Sequence, residues 1–152
     1  MGEDRKVVTT NRRARHNYEI LDTFEAGMVL RGSEVKSLRA GQVQLKDAYA
    51  SIYGGELWLE NAHIAPYSFS SGGGHEPERR RKLLVHRREI DRLTGKINEQ
   101  GLTLVPLQIY FVNGLAKIEI ALAKGRHTYD KRKKLVERQQ KREIDRAVRH
   151  RR

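Results

Sequence analysis

A chain of 152 residues carrying 31 Lys+Arg against 19 Asp+Glu, a formal net charge of +12, has the length of one domain plus appendages and the charge of a protein that meets a polyanion. Nucleic acid ranks first as that partner and an anionic membrane surface second. The absence of cysteine excludes a disulfide framework, a thiolate metal site and a cysteine nucleophile. The longest uncharged stretch, Gln100 to Ala116, is shorter than the ~20 residues of a spanning helix and is interrupted by Pro106 and Asn113-Gly114. The opening Met1-Gly2-Glu3-Asp4 lacks the basic-then-apolar layout of a secretory signal, so the expected location is the cytosol.

In chain order, residues 1–10 are expected to be a flexible N-terminus. Asn17 to Leu21 and Thr23 to Arg31 supply one or two strands. Ser33 is the expected cap of a short helix over Glu34 to Ala40, with Val35 and Leu38 inward and Gly41 as the stop. Val43 to Tyr53 and Glu56 to Ile64 read as a hairpin about Gly54-Gly55, in which Ala48, Ala50 and Ile52 alternate with Tyr49, Ser51 and Tyr53. Ser68 to Arg80, rich in Ser and Gly, reads as a mobile loop leading into the basic run Arg79-Arg80-Arg81-Lys82. A helix over about Arg87 to Glu99 presents Ile90, Leu93 and Ile97 on one stripe and stops at Gly101, with Gly95 weakening its last turn. Leu102 to Ala123 is the strongest signal: two apolar runs flank Asn113-Gly114, the dipeptide of a tight hairpin turn. In its second arm Ala116, Ile118, Ile120 and Leu122 share a face opposite Lys117 and Glu119, and Pro106 in the first arm belongs at an edge or bulge.

About six short antiparallel strands with flanking helices predict a mainly β fold, a small closed antiparallel β-barrel of the oligonucleotide-binding type over residues 11–123. Residues 124–152 form a basic tail: they hold 13 Lys+Arg and 4 Asp+Glu, leaving 18 against 15 for the rest. Its few apolar residues cannot make a core, yet Val136, Ile144 and Val148 share a helical face. A tail disordered when free and helical on its partner follows, with a merely solubilising tail as the alternative.

Catalysis finds little support. The six histidines show no metal-site spacing, there is no phosphate loop and no Gly-x-Ser-x-Gly elbow. Glu25, Glu34, Asp47, Glu56 and Glu60 read most simply as solvated carboxylates. No cofactor and no metal are expected. Basic clusters recur instead at Arg12-Arg13-Ala14-Arg15, at Lys36 and Arg39, at Arg79 to Lys82 and at Lys117, Lys124 and Arg126, and together they suggest a phosphate-binding footprint. Tyr49, Tyr53 and Trp58 stand either as base-stacking platforms or, the favoured reading, as residues covered by a helix.

Particular strings go further. Asn11-Arg12-Arg13-Ala14-Arg15-His16, Phe24-Glu25-Ala26-Gly27, Gly32-Ser33-Glu34-Val35-Lys36-Ser37-Leu38-Arg39-Ala40-Gly41, Arg81-Lys82-Leu83-Leu84, Gly101 to Leu107, and Ala123-Lys124-Gly125 followed by Asp130-Lys131-Arg132 resemble the SsrA-binding protein family, small protein B. The resemblance runs from about Asn11 to Arg132. It implies a monomeric RNA-binding adaptor without a reaction of its own. Its partners would be the tRNA-like domain of transfer-messenger RNA and, on stalled ribosomes, the decoding centre and message channel of the small subunit, with no membrane involved. Carried over position by position, it implies RNA contacts at Asn11, Arg12, Arg13, Arg15, Glu25, Leu84 and Lys117. Lys36, Arg39, Lys124, Gly125 and Arg126 join that surface. Ribosome contacts are implied at Tyr129, Asp130, Lys131 and Arg132; beyond Arg132 only the basic helical character matches, and on that character Lys133, Lys134, Arg138, Lys141 and Arg142 are expected to join them. Tyr129 stands where several relatives have histidine, so only its ring can stack there. Glu25 can only accept, so it would face a 2′-hydroxyl or a base amine, with a structural hydrogen bond as the alternative. Readings of another class are a general RNA chaperone or ribosome-assembly factor, and an enzyme acting on RNA.

Overall fold

The computed structural model describes residues 5–66 and 75–125. Among them are nine strands and three helices: β1 (Arg5–Thr10), α1 (Ala14–Asn17), β2 (Tyr18–Met28), α2 (Gly32–Arg39), β3 (Val43–Gln44), β4 (Tyr49–Tyr53), β5 (Glu56–Glu60), β6 (His63–Ile64), β7 (Arg81–Leu84), α3 (Arg87–Gln100), β8 (Thr103–Val112) and β9 (Leu115–Gly125). All strand pairs are antiparallel. Seven strands run in the order β1-β8-β4-β5-β7-β2-β9, and because β9 also pairs with β8, six of them succeed one another around a ring, while β1 pairs with Gln108 to Val112 of β8, beyond the contact with β4. The seam between β8 and β4 is short, resting on the pair Ala50 and Leu104.

The ring forms because its strands alternate. Leu57, Leu59, Leu83, Leu104, Ile109, Ile118, Ile120 and Leu122 are buried in one core, and Lys117 and Glu119 turn outward as the alternation of a half-buried strand requires. The β8–β9 hairpin turns on Asn113 (φ 50°) and Gly114 (φ 81°), the left-handed pair that a two-residue turn matching strand twist needs. Pro106 lies at a register shift in the β8–β9 ladder, as a residue without an N–H must. The second hairpin also holds, although its arms pair in two pieces, β4 with β5 and β3 with β6. Helix α3 buries Ile90 and Leu93, packs Ile97 against the core and ends on Gly101 at φ 63°. Its Arg92 reaches Asp22 of β2 at 3.1 Å, which sets the helix beside that strand.

Several expectations need correction. Residues 5–10 are a strand rather than a flexible terminus, held by five residue pairs with β8. Of the one or two strands expected on either side of Asp22 one forms, in keeping with that reading, and it is continuous with a register shift between Ile20 and Asp22. Ser33 lies within the first turn of α2 and does not cap it; the Glu34 carboxylate instead accepts the Arg31 N–H at 2.8 Å, and the Ser33 hydroxyl turns to His75. The outward face of β9 is polar only in its first half. Farther on, Ala121 and Ala123 are buried with Ala14 of α1. Most of the loop expected over Ser68 to Arg80 lies outside the described residues, but 75–80 are held firmly, as described next.

Candidate nucleic-acid interface

Four neighbouring strands place one outward residue each in a row: Tyr110 of β8 opposite Lys117 of β9, Lys117 opposite Gly27 of β2, and Gly27 opposite Leu84 of β7. Gly27 contributes no side chain, so the row has a hollow floor between Leu84 and Lys117; a Cβ there would already stand 3.4 Å from the Leu84 Cβ. The N-terminal turn of α3 walls this hollow with Arg87 and Arg88, and Glu25, two residues before Gly27 on the same face, completes it. Leu84 is 53% exposed. Three residues implied by the resemblance, Glu25, Leu84 and Lys117, therefore meet in one open groove. Arg87 and Arg88 join them without any motif in the sequence to announce them.

Glu25 bonds within the protein and faces solvent at once. Its Oε2 accepts a hydrogen bond from the Tyr110 hydroxyl and lies 3.7 Å from Arg5 Nη2, while 41% of the side chain remains exposed. Oε1 has no partner among the described residues. Burial, reinforced by the Glu25 carboxylate, holds the Tyr110 hydroxyl above its ordinary range, so it stays protonated and donates.

The Asn11–Arg15 corner is built differently. Asn11 donates its amide to the Pro106 carbonyl at 3.0 Å and its backbone N–H to the Leu107 carbonyl at 2.7 Å, which fixes the turn into α1. Its amide nitrogen thus braces the turn. Arg12, Arg13 and Arg15 stand exposed around the buried Ala14, with no ion pair among the described residues. Lys36 and Arg39 lie on the exposed side of α2, Arg39 with its guanidinium 5.9 Å from the centre of the Phe111 ring. Lys124 is exposed at the end of β9, and Gly125 pairs opposite Tyr18. Arg126 and the implied ribosome contacts Tyr129, Asp130, Lys131, Arg132, Lys133, Lys134, Arg138, Lys141 and Arg142 lie outside the described residues.

The basic run Arg79 to Lys82, expected as part of the phosphate footprint, is consumed internally. Arg79 and Arg81 both clasp Glu34, Arg80 reaches Glu60 at 2.8 Å and Lys82 reaches Glu56 at 3.1 Å. Arg81 and Glu34 are fully buried, and Arg81 also donates to the Ala62 carbonyl at 2.8 Å and the Pro77 carbonyl at 2.9 Å. Glu34 is therefore no solvated carboxylate. Desolvation would raise its pKa, but hydrogen bonds from Arg79, the Arg31 backbone and Arg81 outweigh it and hold it below the usual value. Beside this lock His75, also buried, faces the Ile64 carbonyl with Nε2 at 2.8 Å and the Ser33 hydroxyl with Nδ1 at 2.8 Å. A carbonyl can only accept, so Nε2 carries a hydrogen. The expectation of a helix over the aromatics fails as well: the Arg80 guanidinium lies 5.2 Å from the Tyr53 ring centre and 4.9 Å from that of Trp58, and Tyr49 and Tyr53 are exposed.

Cations beside the exposed Glu25 carboxylate and a bare leucine, with the second acid of the groove, Glu89, held by Arg92, suit a ligand offering both phosphates and polar sugar or base edges, which places the protein in the class of nucleic-acid binders. The chain belongs to the SmpB family: the family model described as SmpB protein matches residues 8–150. An SsrA-binding protein of Pelotomaculum thermopropionicum is 59% identical over 146 residues, 96% of this chain and 95% of that one. Another, of Thermobifida fusca, is 56% identical over 151 residues, 99% and 94% of the two chains. A solved structure described as "tmRNA-SmpB: a journey to the center of the bacterial ribosome" contains a chain 55% identical to this one, superposing with a TM-score of 0.65 over 77% of this chain and 82% of that one. Among the described residues no helix is long and apolar enough to cross a membrane.

Proposed function

We propose that this protein is an RNA-binding adaptor of trans-translation. The ring of strands acts as a barrel of the oligonucleotide-binding type that holds the tRNA-like domain of transfer-messenger RNA, and residues 124–152 engage the decoding centre and message channel of the small ribosomal subunit. The protein works in the cytoplasm and catalyses no step itself. The observation that carries the reading is the groove in which Glu25, Leu84 and Lys117 are brought from three strands to one floor. Lysine and arginine there neutralise phosphates, Leu84 packs on an exposed base, and Glu25 accepts from a 2′-hydroxyl or base amine that bulk duplex does not present in that place.

Sequencing the RNA that co-purifies with the tagged protein tests the reading, with transfer-messenger RNA expected as the dominant species. Equal affinity for generic structured RNA would instead identify a general chaperone. A chain ending after Gly125 should still bind the isolated tRNA-like domain yet fail to support peptide tagging on stalled ribosomes. Tagging at the full-length rate would defeat the division between ring and tail.

A further inference from the structure

We propose that Tyr110 and Arg5 are positioning residues that set the Glu25 carboxylate for RNA, acting through Glu25 rather than by touching phosphate. The proposal rests on the functional reading above and deepens it. A freely turning carboxylate in an anion-binding groove is a liability, since it repels every phosphate that approaches. Here it cannot turn freely. The Tyr110 hydroxyl and the Arg5 guanidinium both engage Oε2, which leaves Oε1 as the oxygen without a partner among the described residues. Tyr110 is itself fixed, only 1% exposed, and Arg5 is seated on its ring at 3.9 Å from the centroid.

The three groups form a stack with divided tasks. Tyr110 supplies a donor whose proton stays on, so the carboxylate is oriented without being neutralised. Arg5 lowers the repulsion that Glu25 exerts on phosphates along the groove, while its stacking on Tyr110 limits its own reach outward. Arg5 is delivered by β1, whose pairing with β8 puts it opposite Val112, two residues from Tyr110. It also precedes residue 8, where the match to the family model begins, so nothing in that match assigns it.

The test measures affinity for a transcript of the tRNA-like domain and for a generic RNA duplex, using the full-length chain. Tyr110→Phe keeps the ring and removes the donor; about a tenfold loss toward the tRNA-like domain is expected, with little change toward the duplex. In a Glu25→Gln background the same substitution should cost less than twofold, because the carboxylate it orients is gone. A loss that persists in that background overturns the role. Arg5→Gln, on an exposed side chain, guards against a folding defect at the buried tyrosine: a few-fold loss is expected with the salt slope unchanged. A slope flatter by about 0.7 to 0.9 would mean that Arg5 neutralises a phosphate directly and would overturn its part. If the unsubstituted protein does not prefer the tRNA-like domain, the functional reading falls and the inference with it. If it does and both variants bind like the parent, the inference alone is wrong.

Discussion

Arg12-Arg13-Ala14-Arg15 and Arg79-Arg80-Arg81-Lys82 look alike as strings of letters and have opposite fates. In the first, three exposed arginines surround one buried alanine and form no ion pair among the described residues. In the second, every cation meets a carboxylate, and one of the four is fully buried. The difference teaches that a basic run is a phosphate surface only where the fold has not already matched it with acids. The matching acids here are 20 to 47 residues away along the chain. The first cluster is available to RNA; the second fastens β7 and the segment before it to α2 and β5.

The sharpest way to break this comparison is Arg81→Ala. Removing the Arg81 side chain leaves the buried Glu34 with Arg79 alone as its charge partner and strips the Ala62 and Pro77 carbonyls of their donor, so about 3 to 5 kcal/mol of stability should be lost, read as a lower denaturant midpoint with an unchanged slope. A loss below 1 kcal/mol would mean that the second cluster is not structural. The pH dependence sharpens the same point. Because Glu34 has a lowered pKa in the folded protein, its contribution is fully present above the unfolded value near 4.5 and is lost as pH falls through the lower folded value. Unfolding on acidification should therefore steepen below about pH 4.5, and Glu34→Gln, less stable near neutral pH and converging with the parent in acid, should lack that component. Next in size, Arg13→Ala should weaken RNA binding and flatten its log–log salt slope by about one phosphate, whereas Arg80→Ala should leave the slope nearly unchanged because Glu60 already balances that charge. Equal slopes for the two variants would erase the distinction. The smallest effect is that of Arg80→Ala on stability, below about 1 kcal/mol, since its ion pair is partly exposed and its stacking on Tyr53 and Trp58 faces water.

What the sequence discloses follows from the range of the interactions involved. Asn113-Gly114, Gly54-Gly55 and the stripe Ile90, Leu93 and Ile97 are local signals, and the hairpins and α3 come out where those signals put them. The groove row could not be seen that way, because Leu84, Gly27, Lys117 and Tyr110 become neighbours only through strand register. Resemblance supplied Glu25, Leu84 and Lys117, but not Arg5, Tyr110, Arg87 or Arg88. The string Gly32 to Gly41 is instructive in another way. Its Glu34-to-Gly41 part carries the resemblance with high specificity, yet Glu34, Ser37 and Leu38 within it are buried and Gly41 sits at φ 72°, so much of the string serves architecture. Glu34 was misread as solvated because neither of its arginines is within 40 residues of it.

The pairing of β1 with β8 alone has a consequence for solubility. A ring consumes the edges of its strands, but a further strand with one partner brings an edge back, whose backbone donors and acceptors another chain could pair with. Among the described residues β1 has β8 as its one partner in the sheet. Three features keep that edge from recruiting a second molecule: it is short, it opens with the exposed cations Arg5 and Lys6, and its register slips between Val7 and Thr9, which bends the ladder away from a flat template. The residue that reaches Glu25 thus also guards an edge against self-association.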